Sequence, residues 1–295
     1  MRCNLCGSET HKNIVRFEDI AVVKCRECGL VQMDPIKIGE CKDDYIELEV
    51  DEFIDYIESV RLPQFEAEMK DIVKVVKTGR VLDIGCSTGL FLSLARKHGF
   101  EAYGVEPSES MCKVAGCRHE GLNLHNTEFT KELFRGIEFD LVTVWSVLEH
   151  IPDPKRFLSE CRAVLKKDGV LAVRVPNYSG LIPKLIIWAY KLSFGLISAP
   201  AKSLYEYHFV YKHFYHYTEK TLSRMMENTG FKVFQVKREN SINMGNFKKR
   251  IESSKRKNDL GWARNPLLRA MISVVLKISD ILKLQDEIVV FCKKI

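Results

Sequence analysis

From about residue 50 to the C-terminus, short apolar runs bounded by glycine alternate with stretches whose apolar residues recur three and four apart, the signature of an α/β domain. Val81-Leu82-Asp83-Ile84, Ala102-Tyr103-Gly104-Val105 and residues 139–145 and 170–175 read as strands of a buried parallel sheet. Residues 90–96, and later Phe157, Leu158, Cys161, Val164 and Leu165, have helical spacing. Asp153 and Pro154 suit the cap and first turn of that second helix, and Lys166-Lys167-Asp168-Gly169 predicts its end. Upstream, Phe53, Ile54, Ile57 and Val60, then Phe65, Met69, Ile72 and Val76, predict two helices separated by a break or kink at Pro63. Downstream come a helix over 222–228, a strand from Gly230-Phe231, a helix with an apolar face of Leu268, Met271, Ile272, Val275, Ile278 and Leu282, and a closing strand near 287–291. Near the N-terminus, residues 14–17 and 21–24 predict a hairpin.

The strand at 81–84 runs into Gly85-Cys86-Ser87-Thr88-Gly89 and then a helix, which aims backbone N–H groups at a nucleotide-like ligand. Leu90-Phe91 follows Gly89 in place of the Lys-Ser/Thr of a phosphate loop, and the glycine spacing is not that of a dinucleotide fingerprint. Asp83 is placed to meet a positive group, and Glu106, at the end of the next strand, to bind the two hydroxyls of a ribose. A cationic nucleoside with an amino-acid tail fits that set.

The loop 81–89, Glu106, and Phe139-Asp140-Leu141-Val142 through Asp153-Pro154 together resemble, in order, the motifs of the class I S-adenosylmethionine (SAM)-dependent methyltransferases. The resemblance covers about residues 77–236 and the closing strand near 286–293, with Ser87 standing where many relatives have a second glycine. It implies a Rossmann-like seven-stranded sheet with its last strand inserted antiparallel. It also implies SAM held by Asp83 at the methionine amino group, by backbone of Gly85, Cys86 and Gly89, and by Glu106 at the ribose. By family position Asn126, Thr127 and Glu128 would border the adenine, with Trp145 and Ser146 beneath the cofactor.

Cys3-x-x-Cys6-Gly7 and Cys25-x-x-Cys28-Gly29, eighteen residues apart, have the spacing of a zinc ribbon with four thiolate ligands and a structural metal. Cys41, Cys86, Cys112, Cys117, Cys161 and Cys292 show no such spacing and read as buried thiols. Residues 1–40 are therefore expected to form the ribbon, 41–78 a helical linker or cap, and 79–295 the SAM-binding domain with substrate-cap insertions at about 177–217 and 238–285. Tyr45, Tyr56 and Arg61 of the linker lie within reach of the ligand in such an arrangement, but surface or core roles are the leading reading for them.

Acceptor residues are expected at the carboxyl ends of the parallel strands. Residues 181–192 are too interrupted by lysine and proline to span a bilayer, leaving a lid, an interfacial helix or a dimer surface open. His213-Phe214-Tyr215-His216-Tyr217-Thr218 resembles a segment of the ubiquinone-type and sugar-modifying branch of the family, whose histidines line the acceptor pocket. His213 and His216 are the first candidates for a general base, His208 and His150 the reserves.

Composition adds little until charge is mapped. Between Lys237 and Arg264 stand nine Lys or Arg against three acids, an excess equal to the whole net charge of +6. That run is either a solvated face or a contact for phosphates of lipid, nucleic acid or nucleotide-sugar. With 46% hydrophobic residues and no secretory signal, a cytoplasmic protein is expected, with peripheral contact at the inner face of a membrane left open. The leading reading is methylation of a small molecule or saccharide, nucleotide- or lipid-linked sugars included. RNA methylation is disfavoured by the lack of an Asn/Asp-Pro-Pro-Tyr/Phe motif, the loop after the fourth strand reading Trp145-Ser146-Val147-Leu148. A non-catalytic SAM-binding scaffold is the third reading.

Overall fold

A computed structural model describes residues 1–17, 20–36, 50–196, 198–205, 212–240 and 266–295. The chain opens with an antiparallel trio, β1 (His11–Arg16), β2 (Ala21–Cys25) and β3 (Val31–Asp34). The helix α1 (Val50–Val75) leads to β4 (Gly79–Ile84), α2 (Leu90–Lys97), β5 (Phe100–Val105), α3 (Glu109–Arg118), β6 (Asn123–His125) and β7 (Phe139–Trp145). After α4 (Pro154–Val164) and β8 (Leu165–Pro176) come α5 (Leu181–Leu192), α6 (Ala199–Leu204) and the two-residue strand β9 (Tyr215–His216). The helix α7 (Glu219–Asn228), β10 (Phe231–Glu239), α8 (Pro266–Ile281) and β11 (Glu287–Lys294) complete the fold.

The large sheet has the order β10-β11-β8-β7-β4-β5-β6, with β11 antiparallel to both of its neighbours and the strands from β8 to β6 parallel. This is the expected Rossmann-like seven-stranded arrangement. Strand alternation sorts the core onto two faces. Val81, Leu141, Ala172 and Val289 meet Phe65, Met69 and Ile72 of α1 and Phe91 and Ala95 of α2. Leu82, Val142, Leu171, Val173 and Val290 point the other way, toward Leu158 and Cys161 of α4 and Leu222 and Met226 of α7.

Two boundaries differ from the sequence reading. α1 runs unbroken through Pro63. Proline removes one backbone donor, but Ile54 on one side and Phe65, Met69 and Ile72 on the other are buried on the same helix, and that burial outweighs one lost bond. The helix α4 stops at Val164, and Lys166-Lys167-Asp168-Gly169 belongs to β8. Leu165 is extended and pairs with Phe139, and Lys166 Nζ lies 2.8 Å from Asp140, which holds the segment against β7.

The N-terminal sheet takes a strand from the C-terminal half of the chain. β9 adds to β3 as the fourth strand of its sheet, with Val31 opposite His216 and Gln32 opposite Tyr215. Leu5, Val22, Leu30 and Met33 join the same core as α7 and the large sheet. α8 buries Leu276 and Ser279, whereas Ile278 and Leu282 of the anticipated face are exposed. No helix among the described residues is long and apolar enough to cross a membrane.

Candidate active site

β4 delivers the chain into a turn that only small residues can make. Gly85 and Gly89 have left-handed backbone (φ 74° and 73°), and a Cβ on Gly85 would stand 2.5 Å from Val147 Cγ2. Ser87 takes the same region at φ 46°, a conformation that costs a residue with a side chain about 1–2 kcal/mol. The N–H groups of Gly85 and Cys86 donate to the Val105 carbonyl at 2.8 and 3.1 Å, tying the loop to the end of β5. The Cys86 side chain is buried, and a Cβ on Gly104 would come within 2.7 Å of its Sγ, so Cys86 offers a ligand only its backbone.

Glu106 is held by both oxygens. Ser87 N–H donates to Oε2 at 2.8 Å and Ser108 N–H to Oε1 at 2.9 Å, which fixes the carboxylate at the end of β5. Asp83 is enclosed at 2% exposure and accepts a 2.6 Å bond from Thr143 Oγ1. Burial, with the Glu106 charge adding, pushes its carboxyl up to about 8 against the Thr143 bond. A cation placed there would let it ionise. Asn126, Thr127 and Glu128 form an exposed loop after β6, and Asn126 Nδ2 donates to the carbonyls of Glu106 and Pro107 at 2.9 and 3.1 Å. Gly89 caps α2 without a side chain, leaving the first amides of that helix for a ligand.

Trp145, at the end of β7, stacks edge-on against Phe91 at 5.3 Å and lies under the guanidinium of Arg174 at 5.2 Å. Ser146 follows with φ 57° and donates its N–H to the Arg174 carbonyl at 2.9 Å. Arg174 was not anticipated. It is fully buried in β8, paired with Glu68 of α1 and 3.7 Å from Glu287 of β11. Gln64 and Arg61 complete the cluster through Glu287, so Arg61 is engaged in fastening α1 to the sheet. The signal was present as a lone charge in the apolar run Leu171-Ala172-Val173-Arg174-Val175. Trp145 Nε1, Arg174 Nη1 and Glu68 Oε2 are buried without hydrogen-bond partners among the described residues. The two donors are of the kind that meets a carboxylate, as in the amino-acid part of SAM.

The turn Leu148–His150 follows β7 and brings Glu149 and His150 to the carboxyl end of the sheet. Glu149, His150 and His213 bring their ligand atoms within 4.8 Å of one another, close enough to share a proton or a cation. His150 Nδ1 lies 3.1 Å from the Lys212 carbonyl, and its ring centroid is 4.8 Å from that of His213. Burial, with the charges of His150 and His216 adding, holds His213 well below the usual imidazole range. His216, 6.0 Å from His213, is more deeply enclosed, its pKa pushed down to about 3 chiefly by burial. His208 and Tyr45 lie outside the described residues, as do the side chain of Tyr56 and all but Lys237–Asn240 of the basic stretch 237–264.

The four ribbon cysteines converge. Cys3 and Cys28 Sγ are 3.4 Å apart, Cys6 and Cys25 Sγ 3.6 Å, and all four sulfurs lie within 4.8 Å of one another without forming a disulfide. A zinc tetrahedron with bonds of about 2.3 Å sets its sulfurs about 3.8 Å apart. The thiols fit such an ion, with little adjustment.

Residues 58–236 match the family model described as a methyltransferase domain. The ubiquinone biosynthesis O-methyltransferase of Coxiella burnetii (strain Dugway 5J108-111) is 36% identical over 122 residues, which are 39% of this chain and 49% of the relative. The chain thus spans about half the length of the curated relatives it matches. Among solved structures, a SAM-dependent methyltransferase from Archaeoglobus fulgidus aligns with a TM-score of 0.50 at 20% identity, covering 82% of this chain and 99% of the other. The cyclopropane synthase MmaA2 from Mycobacterium tuberculosis aligns at 0.52 and 15% identity, covering 78% and 85%. These structures share the fold. The family match covers more than half of the chain, and together with the loop, Glu106 and the sheet order it places the protein plainly: it belongs to the methyltransferase-domain family of class I SAM-dependent enzymes.

Proposed function

We propose that the chain moves the methyl group of SAM to an oxygen of a small-molecule or saccharide acceptor, with His213 receiving the acceptor's proton. The observation that carries this reading is the convergence of Glu149, His150 and His213 beside the end of β7, next to the strand whose loop holds the cofactor-side residues. In the reaction the sulfonium–methyl bond breaks as the oxygen–methyl bond forms, SAM leaves as neutral S-adenosylhomocysteine, and the hydroxyl proton passes to the imidazole. The enzyme's main task is to hold the nucleophile close to and in line with the methyl group. Burial favours the neutral imidazole of His213, and the Glu149 carboxyl beside it would favour the imidazolium once the proton arrives. His216, packed edge-on against Tyr205 at 4.6 Å and near Tyr178 at 5.7 Å, fits an orienting role better than that of base. That the matched relatives are named O-methyltransferases supports an oxygen acceptor.

SAM would be held by Asp83, by packing against the backbone of Gly85, Cys86 and Gly89, whose amides the Val105 and Cys86 carbonyls already engage, and by Glu106, with Asn126, Thr127 and Glu128 at the adenine end. Zinc bound by Cys3, Cys6, Cys25 and Cys28 would be structural, since four thiols leave no open position. The exposed side of α5 carries Leu185, Trp188 (63% exposed) and Leu192 among Lys184 and Lys191, with no acid on the helix. That composition supports peripheral contact with anionic lipid, or delivery of a lipid-linked acceptor. Incubation with methyl-labelled SAM and separate pools of quinol, saccharide, nucleotide-sugar, polyprenyl-linked sugar and RNA tests the reading. Label in a hydroxylated small molecule is expected; label in RNA alone would overturn it.

A further inference from the structure

The first cysteine knuckle reaches past the thiols it holds, into the acceptor side of the site. Between Cys3 and Cys6, Asn4 donates its backbone N–H to Gln32 Oε1 at 3.2 Å, on the strand that leaves the second knuckle. Its side-chain Nδ2 donates to the Tyr215 hydroxyl and lies 3.5 Å from the Pro152 carbonyl. Tyr215 donates its own hydroxyl to that same carbonyl at 2.7 Å. Pro152 stands two residues after His150, and Tyr215 is the residue before His216, so one amide links both histidine-bearing segments. Next to it, β3 pairs Gln32 with Tyr215 and Val31 with His216, and Met33 N–H donates to the Phe214 carbonyl at 2.9 Å. Phe214 N–H in turn donates to the Glu149 carbonyl at 2.8 Å. The segment carrying His213 and His216 is thus clamped between the ribbon strand on one side and the Glu149–His150 turn on the other.

A ribbon that served only as an appendage would complete its own sheet and meet the catalytic domain through side chains. Here its edge strand is supplied by residues 215–216, more than 180 residues away in sequence from β3. Gln32, at 1% exposure, and the 4%-exposed His216 lie in the interior of this junction. Small displacements of a catalytic group are costly, a shift of about 1 Å lowering rates by as much as about a hundredfold.

We propose that the metal-holding knuckles form the positioning frame of the acceptor histidines, with Asn4 as a positioning residue that sets the spacing between the His150 turn and the His213–His216 segment. This rests on the assignment of His150 and His213 to the acceptor side. The frame makes metal occupancy of the ribbon a determinant of methyl transfer. Cofactor binding, built on β4 and β5, lies outside the frame.

The zinc-loaded full chain carrying Asn4→Asp, which removes both side-chain donors at nearly constant size, tests this, with Tyr215→Phe as a milder second variant. Turnover is expected to fall about tenfold or more in Asn4→Asp, with S-adenosylhomocysteine affinity within about twofold of the parent. The imidazole resonances of His213 and His216, assigned through His→Gln variants, should move in both. The double variant should lose more than either single one, because Tyr215→Phe also removes the direct bond from the Tyr215 hydroxyl to the Pro152 carbonyl, which Asn4→Asp leaves in place. Chelation of the ribbon metal should shift the same resonances. Parent-like resonances and turnover in both variants would overturn the frame, as would resonances that stay in place after the thiols are shown to be metal-free. Displaced resonances in an enzyme with no turnover on any acceptor would support the frame and count against the base assignment instead.

Discussion

The proposed cofactor half and the proposed acceptor half of the site are assembled in opposite ways. Asp83, the loop to Gly89 and Glu106 lie within 24 residues, on two adjacent parallel strands and the turn between the first strand and its helix. The acceptor half joins the turn after β7, the segment around β9 and a strand near the N-terminus, so that Asn4, Pro152 and Tyr215 meet from three distant parts of the chain. A cofactor that is the same in every family member can be met by a local motif. An acceptor that differs between members is met by pieces that vary independently, on loops positioned by a common scaffold. The two halves should therefore respond to substitution separately, and each prediction tests that separation.

The largest effect is expected on the acceptor side. His213→Ala should lower turnover by about 10²–10⁴-fold, the usual contribution of a positioned proton acceptor, while S-adenosylhomocysteine affinity stays near that of the parent. Steady-state kinetics paired with calorimetric titration checks this. Equal losses in turnover and cofactor affinity would show that the halves are not separable.

Next comes Asp83, where function and stability oppose each other. An unfolded aspartate ionises near 3.8, whereas enclosed Asp83 holds its proton up to about 8. Between those values the folded chain binds a proton that the unfolded chain has released, so stability falls as pH rises, by at most about 1.4 kcal/mol per pH unit. Asp83→Asn should flatten this slope in the ligand-free protein, measured as denaturation midpoints between pH 6 and 8. The same change should weaken S-adenosylhomocysteine by about 3 kcal/mol and abolish a rise in affinity toward pH 8, because the ligand's ammonium favours the ionised carboxylate. A steeper stability slope in the variant would reverse the sign argued here.

Glu106→Ala should cost about 1–3 kcal/mol of cofactor affinity, as expected for lost bonds to a charged group. Because Glu106 also receives the Ser87 and Ser108 amides, part of that loss will come from a looser loop. Glu106→Gln, which can keep one acceptor, should lose less. Unchanged affinity in both variants would remove the ribose assignment.

The same contrast explains what was legible in the residues. The strand–turn–helix at 81–89 announces itself by local rules: β-favouring residues, glycines at left-handed positions, then a helical stripe. The sheet order follows from family motifs in sequence order, and the four cysteines from spacing. The partnership of β3 with β9 could not be read that way, because a two-residue strand has no periodicity and its partner lies far off in sequence. At Pro63 the local helix-breaking penalty points to two helices, and the burial that joins them into one is tertiary. At Lys166–Gly169 the cations and glycine imitate a helix stop, yet pairing with β7 and the Asp140 ion pair draw the segment into a strand. The role of Arg174 has no local signature, because its partners, Glu68 and Glu287, come from α1 and β11.

The smallest expected effect lies where the cofactor half departs from its own local rules. Ser87 has φ 46°, which glycine adopts freely and serine does not, yet its amide is needed, donating at 2.8 Å to Glu106. Ser87→Gly should relieve about 1–2 kcal/mol of backbone strain in the folded chain and add about 0.5–1 kcal/mol of unfolded-state entropy. The balance is a net stabilisation of no more than about 1.5 kcal/mol, read as a raised denaturation midpoint. Because the amide and its bond to Glu106 survive the change, S-adenosylhomocysteine affinity should move by less than about threefold, and turnover not at all. A drop in affinity comparable to that of Glu106→Ala would mean that the serine hydroxyl itself meets the cofactor. The strain would then belong to ligand recognition, and the cofactor half would be less purely a backbone device than its geometry indicates.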